Sequence, residues 1–330
     1  MQLKRIPSFS SIDSISPPPQ HKSPTLPLRL LTHNVRYATS QPFPGEVLWE
    51  KRKLTFLSHL HYHTRSHFTP SSTLICLQEV LHEQLLDITS SLGKHWTYVG
   101  VGRDDGRKAG EYSPILFRHH FWELVHFETI WLSETPDVPG RKGWDAASVR
   151  ILTCSVLRCR QTSQCILALN THLDDQGEIS RRESAHLIIE HAQKLRSRFH
   201  VDFWFLAGDL NSEIDGAAYK ILNQRGSGFA DARRLIERDA GRSRMYGVEL
   251  TFTGFGQPSD EEPKVIDFVH LGVEEEDDAR ERKHVPDEIR SAMVKSQVQG
   301  YAVLPNRFDG GIFMSDHRAV VVDMMVQFDL

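Results

Sequence analysis

Short apolar, strand-like runs recur along this chain, and several of them end in a residue able to do chemistry. Leu28 to Thr32 leads to Asn34, Thr73 to Gln78 leads to Glu79, Ile166 to Asn170 leads to His172, and Phe203 to Ala207 leads to Asp209. Further runs at Ile115 to Phe117, Val149 to Leu157, Val265 to Val269 and Ala319 to Met325 predict many widely spaced strands, hence sheets packed together. Between them, Ala185, Ile188, Ile189, Ala192, Leu195 and Phe199 recur at helical steps and predict a helix over one sheet face. Leu54, Leu57 and Leu60, and Leu81, Leu85, Ile88 and Leu92, predict two more. If the strand ends share one rim, their polar residues meet where a rigid scaffold fixes side chains without hiding them.

Composition limits the partners. The formal net charge of -4 gives no long-range attraction to a polyanion, so any phosphate site must be local. No apolar run approaches the roughly 20 residues that span a bilayer, so a soluble protein without membrane insertion is expected. Residues 1–27 are rich in Pro and Ser and lack the apolar core of a secretory signal, which predicts a disordered leader ahead of one domain over residues 28–330. Their Pro density and Asp13 also argue against an organellar transit peptide, and an intracellular, cytoplasmic location is the expectation. Cys76, Cys154, Cys159 and Cys165 lack paired CxxC spacing and read as reduced core thiols. The acidic stretch from Glu274 to Asp278 reads as a solvated surface insertion.

"LAGDLNS" at 206–212 sets Asp209 and Asn211 two residues apart, so in an extended segment both point the same way and share one water. The same residues also make ordinary turns. Glu79, directly after the apolar "LICLQ", must be solvated, paired or metal-bound; a hard cation is one natural partner and a cap or salt bridge the other. Asn34 in "LTHNVRYA" offers a carbonyl to a metal or its water. His172 follows a strand, and "MSDHRAVVVD" puts Asp316 and His317 just before the last one. Asp267, inside the apolar "KVIDFVHL", needs a hydrogen-bonded partner such as His317, and an Asp orienting a His is a recurring catalytic arrangement.

Taken in order, the motifs carrying Asn34, Glu79, His172, Asp209 with Asn211, Asp267, and Asp316 with His317 resemble the endonuclease/exonuclease/phosphatase, or DNase I-like, superfamily. The resemblance covers about residues 28–330. It implies an α+β fold, a four-layer α/β/β/α sandwich of two mainly antiparallel sheets with outer helices and a site at one end. It also implies roles: Glu79 binds Mg²⁺, or Mn²⁺ in its place, with Asn34 and Asp316; Asp209 and Asn211 align and activate water; His317, polarised by Asp267, and His172 stabilise phosphoryl oxygens.

The stretches at 102–117 and 131–153 resemble a bacterial and fungal subgroup near the carbon-catabolite-repressor deadenylases. Within them Arg103 and Arg150 are candidates for anionic substrate groups, and Tyr112 and Trp144, with Phe252 further on, for stacking or walling the pocket. For Arg103 a structural ion pair is an equal reading; the place of Arg150 before a strand favours the site. The expected reaction is Mg-dependent hydrolysis of a phosphoester, first of all a phosphodiester in a nucleotide or short RNA or DNA. A phosphomonoester and a phospholipid diester are the alternatives, and a catalytically silent phosphate-binding module is the competing class. No protein partner is inferable.

Overall fold

The computed structural model describes residues 25–65, 69–256, 262–274 and 295–328. In chain order it runs β1 (Thr25–Asn34), α1 (Trp49–Thr64), β2 (Leu74–Gln78), α2 (His82–Leu92), β3 (Trp96–Val99), β4 (Ile115–Arg118), β5 (Trp122–Trp131), β6 (Ile151–Cys159) and β7 (Cys165–His172). Then follow α3 (Glu178–Phe199), β8 (Phe203–Asp209), α4 (Ala217–Leu222), β9 (Phe229–Asp231), α5 (Ala232–Ala240), β10 (Met245–Gly247), β11 (Asp267–Gly272), β12 (Lys295–Val303) and β13 (Val320–Gln327). The predicted leader up to residue 24, and residues 275–278 of the acidic stretch, lie outside the described residues; Thr25 to Pro27 are the first residues of β1. Among the described residues, no helix is long and apolar enough to cross a membrane.

The strands form a seven-stranded sheet, β10-β12-β13-β1-β2-β4-β3, and a six-stranded sheet, β5-β6-β7-β8-β11-β9. Side chains alternate across each strand, so each sheet has two apolar faces to cover. The inner faces meet over Leu28, Leu30, Cys76, Ala168, Phe205 and Val322. The outer face of the first sheet packs Leu31, Ile75 and Val321 against Phe56 and Leu60 of α1 and Leu85 and Ile88 of α2. The outer face of the second packs Leu167, Leu169 and Leu206 against Ala185, Ile188, Ala192 and Leu195 of α3. The result is the four-layer sandwich, and all four cysteines are buried free thiols within it.

Register decides where the polar residues go. β1 and β2 are parallel neighbours with Asn34 beside Gln78, so Asn34 and Glu79 leave the sheet at the same edge. β7 and β8 are also parallel, with His172 beside Asp209. β11 runs antiparallel to β8 and starts with Asp267 beside Asp209, while β13, antiparallel to β1, begins with Val320 beside Thr32 and so brings the preceding Asp316 and His317 to that edge. Under this rim the two sheets are tied by polar side chains: Gln78 Nε2 donates to Asn170 Oδ1 at 2.8 Å, and Asn170 Nδ2 donates to the carbonyls of Leu77 and Pro114 at 2.8 and 2.9 Å. Gly208 makes the close approach of β7 and β8 feasible, since at φ 149° a Cβ there would lie 2.0 Å from the Thr171 carbonyl oxygen.

Candidate active site

The rim residues line one cavity of about 640 Å³, which includes Arg36, Glu79, Arg103, Glu111, Arg150, His172, Asp209, Asn211, Phe252, Asp316 and His317. Asn34 lies beneath it, fully buried. Its Nδ2 donates to Glu79 Oε1 at 2.9 Å and to Asp209 Oδ2 at 3.0 Å, while its Oδ1 accepts the Arg36 N–H at 2.9 Å. One amide thus holds together carboxylates from two different sheets. Glu79 and Asn211 sit at φ 58° and 45°, a left-handed conformation that non-glycine residues rarely adopt and that aims each side chain off its strand. Burial opposes charge on Glu79, but Arg36, Asn34, His317 and the Tyr37 N–H together hold its pKa below the usual carboxylate value.

His317 Nδ1 donates to Asp267 Oδ2 at 2.9 Å, and its Nε2 lies 3.6 Å from Asp209 Oδ2. Burial disfavours a charged ring, yet Asp267 and Asp209 outweigh it and raise the pKa of His317 well above its ordinary value. His317 is therefore an imidazolium at neutral pH. Asp209 is pushed up to about 7 by burial and by Asp267, against the pull of His317, Asn34 and the Asn211 N–H. His172 is the opposite case: burial, with Arg150 and Arg103 near, drives its pKa well down, so the ring is neutral. Its Nε2 accepts from Asn211 Nδ2 at 3.1 Å, which puts the proton on Nδ1, 3.9 Å from Glu111 Oε2.

Several sequence expectations land elsewhere. Tyr112 does not face the cavity; its ring is buried between the first sheet and α2, and its hydroxyl donates to the Arg107 carbonyl at 2.9 Å beside His82 Nδ1. Trp144 also lies outside the cavity lining, its backbone N–H bonded to Glu134. Arg103 and Arg150 line the cavity, but both are ion-paired: Arg103 to Glu111 at 2.7 Å, Arg150 to Asp174 at 3.1 Å and Asp175 at 2.7 Å, which leaves the buried Arg150 Nη1 without a partner. Phe252 lines the cavity with its ring centroid 5.0 Å from that of His317. Several cavity residues escaped the sequence reading, Arg36 and Glu111 among them. Arg36 stacks over Tyr37 and Phe43, and Glu111 is raised to about 7 by burial and by the charge of Glu79.

The donor chemistry suits a hard divalent cation. Glu79 and Asp316 offer carboxylate oxygens to one space, where burial and the charge of Glu79 raise the pKa of Asp316, and oxygen ligands of this kind match Mg²⁺ or Mn²⁺. Asp209, Asp267 and His317 also bring ligand-type atoms within 4.8 Å of one another. There the His317 Nδ1 proton is already engaged by Asp267, and a charged ring disfavours a cation beside it.

The fold matches known structures. A Bacteroides vulgatus endonuclease/exonuclease/phosphatase aligns at 28% identity with a TM-score of 0.73, over 92% of this chain and 100% of its own. The chain belongs to the endonuclease/exonuclease/phosphatase superfamily. Within that superfamily, a Bacteroides thetaiotaomicron mannosyl-6-phosphatase aligns at 26% identity and TM-score 0.69, over 90% of this chain and 99% of its own. The catalytic domain of human Nocturnin shares the fold at 18% identity and TM-score 0.59, over 95% of this chain and 100% of that domain. No protein-family model and no curated protein matches this superfamily member.

Proposed function

We propose that this protein is a metal-dependent phosphoester hydrolase acting on a compact phosphomonoester, with a sugar phosphate as the favoured class. The observation that carries the reading is a cavity joining a hard-cation carboxylate pair, a carboxylate with a pKa near neutrality and an imidazolium. The mannosyl-6-phosphatase likeness and the cavity's charge support the substrate class: its arginines are each matched by a carboxylate, leaving no positive surplus to grip a nucleic-acid strand. This places the monoester ahead of the nucleotide phosphodiester expected from sequence.

In this reading Glu79 and Asp316 hold the cation, with Asn34 fixing Glu79. When bound, that cation supplies Lewis-acid charge to the phosphoryl oxygens. Asp209, aligned by Asn34 and the Asn211 N–H, takes the proton of the attacking water, and a pKa near the working pH suits that task. His317, charged and held by Asp267, donates through Nε2 to the oxygen on which negative charge grows. Water attacks phosphorus as its proton passes to Asp209, the P–O ester bond breaks with its electron pair going to the ester oxygen, and that oxygen takes a proton from solvent and leaves as the alcohol.

The test is release of phosphate from hexose phosphates and nucleoside monophosphates, and of nucleotide from dinucleotides and oligoadenylate, with magnesium and with chelator. Turnover of the monoesters should vanish with chelator and fall at least about 10²-fold in Asp209→Asn. Preference for a dinucleotide would restore the diester reading, and an undiminished Asp209→Asn rate would remove the base from Asp209.

A further inference from the structure

On the outer face of the six-stranded sheet, beneath α3 and outside the cavity, three different metal-binding side chains converge. Glu128 of β5 stands in register with Cys154 of β6, so the two lie directly opposite on the same face. His191 comes down from α3 and its Nε2 meets Glu128 Oε1. The carboxylate oxygen, the Cys154 Sγ and a ring nitrogen of His191 all lie within 4.8 Å of one another. The other oxygen of Glu128 is 3.0 Å from Nε2 of His126, whose ring stacks on Phe199 at 4.7 Å.

We infer that Glu128, Cys154 and His191 form a zinc site that staples α3 to the β5–β6 edge of the sandwich. Cys154 belongs to the apolar layer under α3 and turns its sulfur to the ion pair there, and carboxylate, thiolate and imidazole are the three side-chain donors zinc accepts. In a tetrahedral zinc shell with bonds of about 2.0–2.3 Å, donor atoms stand roughly 3.3–3.8 Å apart, and the present atoms, all within 4.8 Å of one another, lie about 1 Å or less outside that range. Charge points the same way. One carboxylate and one thiolate cancel a divalent cation, leaving a neutral centre in a layer otherwise built from Leu167, Ile188 and Ala192. A sulfur and a nitrogen donor disfavour Mg²⁺, so this site and the oxygen-lined cavity select different ions. His126 plays the outer part, hydrogen-bonding the ligating carboxylate and fixing its direction.

The experiment uses the full chain, stripped of metal and held in excess magnesium. Zinc is titrated against a chromophoric chelator, and cobalt is added separately as a spectroscopic stand-in. The expected result is one tightly held zinc per chain and a near-ultraviolet sulfur-to-cobalt charge-transfer band. Cys154→Ala should abolish the band and weaken zinc at least tenfold, His191→Ala should weaken zinc to a similar degree, and His126→Ala should cost about 10- to 100-fold. Cys159→Ala, which alters a buried thiol outside the trio, should change neither signal. Absence of the cobalt band in the unmodified chain would overturn the assignment even if a variant failed to fold. So would zinc affinity that is the same in Cys154→Ala and His191→Ala as in the parent.

Discussion

The proposed reaction rests on two residues whose protonation is inverted from the usual order. His317 carries a proton at neutral pH because Asp267 and Asp209 outweigh the effect of burial, while Asp209 beside it is raised to about 7. A donor with a raised pKa is active below that pKa and lost as pH climbs through it. Removing one of the carboxylates that raise it brings that loss to lower pH. In Asp267→Asn the alkaline limb of kcat/KM should therefore move to lower pH, with the maximal rate down by about 10²-fold or more; an unmoved limb would detach His317 from the reaction. His172, its neighbour in the same cavity, is neutral, with its one proton turned towards Glu111. Two histidines that look alike in sequence thus hold opposite charge states: burial and two arginines keep His172 neutral, while Asp267 and Asp209 outweigh burial at His317.

Elements deliver these residues, and the tightest joint among them is between β7 and β8. Gly208 precedes Asp209 and lies against the Thr171 carbonyl. Gly208→Ala should cost about 3 kcal/mol in urea unfolding and shift Asp209 out of line, so activity should fall further than stability alone explains. A variant with normal stability and rate would show that β7 and β8 have slack. Strands were legible in sequence where they were continuously apolar, as in β2, β7 and β8. β5 was missed because it is an edge strand whose "WELVHFETIW" mixes polar and apolar residues, and β12 because "KSQVQGYAV" carries few apolar ones. α1 was found but its face was misjudged: Leu54 is 73% exposed, while Arg52 and His59 lie on the buried side. Arg52 is invisible to a hydrophobic pattern because its role is polar, donating to the carbonyls of Val35, Met314 and Arg36 at 2.8, 2.7 and 2.6 Å. Most site candidates were readable because they stand at strand ends. Glu111 was not, since it lies in a loop; the bridge between Val80 and Tyr112 brings it beside Glu79.

Across the molecule, the net charge of -4 is less telling than its distribution, for Glu79, Glu111, Asp209 and Asp316 share one cavity. A cation that relieves their repulsion should stabilise the whole fold. Magnesium at about 100 times its Kd contributes about 2.7 kcal/mol, an increase of about 5 °C in Tm for a domain of this size. Glu79→Gln should remove most of that rise; a full rise in the variant would place the cation on other ligands. The pairing of β1 with β13 carries another consequence. Asn34 leaves the ribosome well before the strand that brings Asp316 and His317 to it. A product cut short before β13 would have no strand to seat Asp316 and His317 at the rim, and so no assembled cavity.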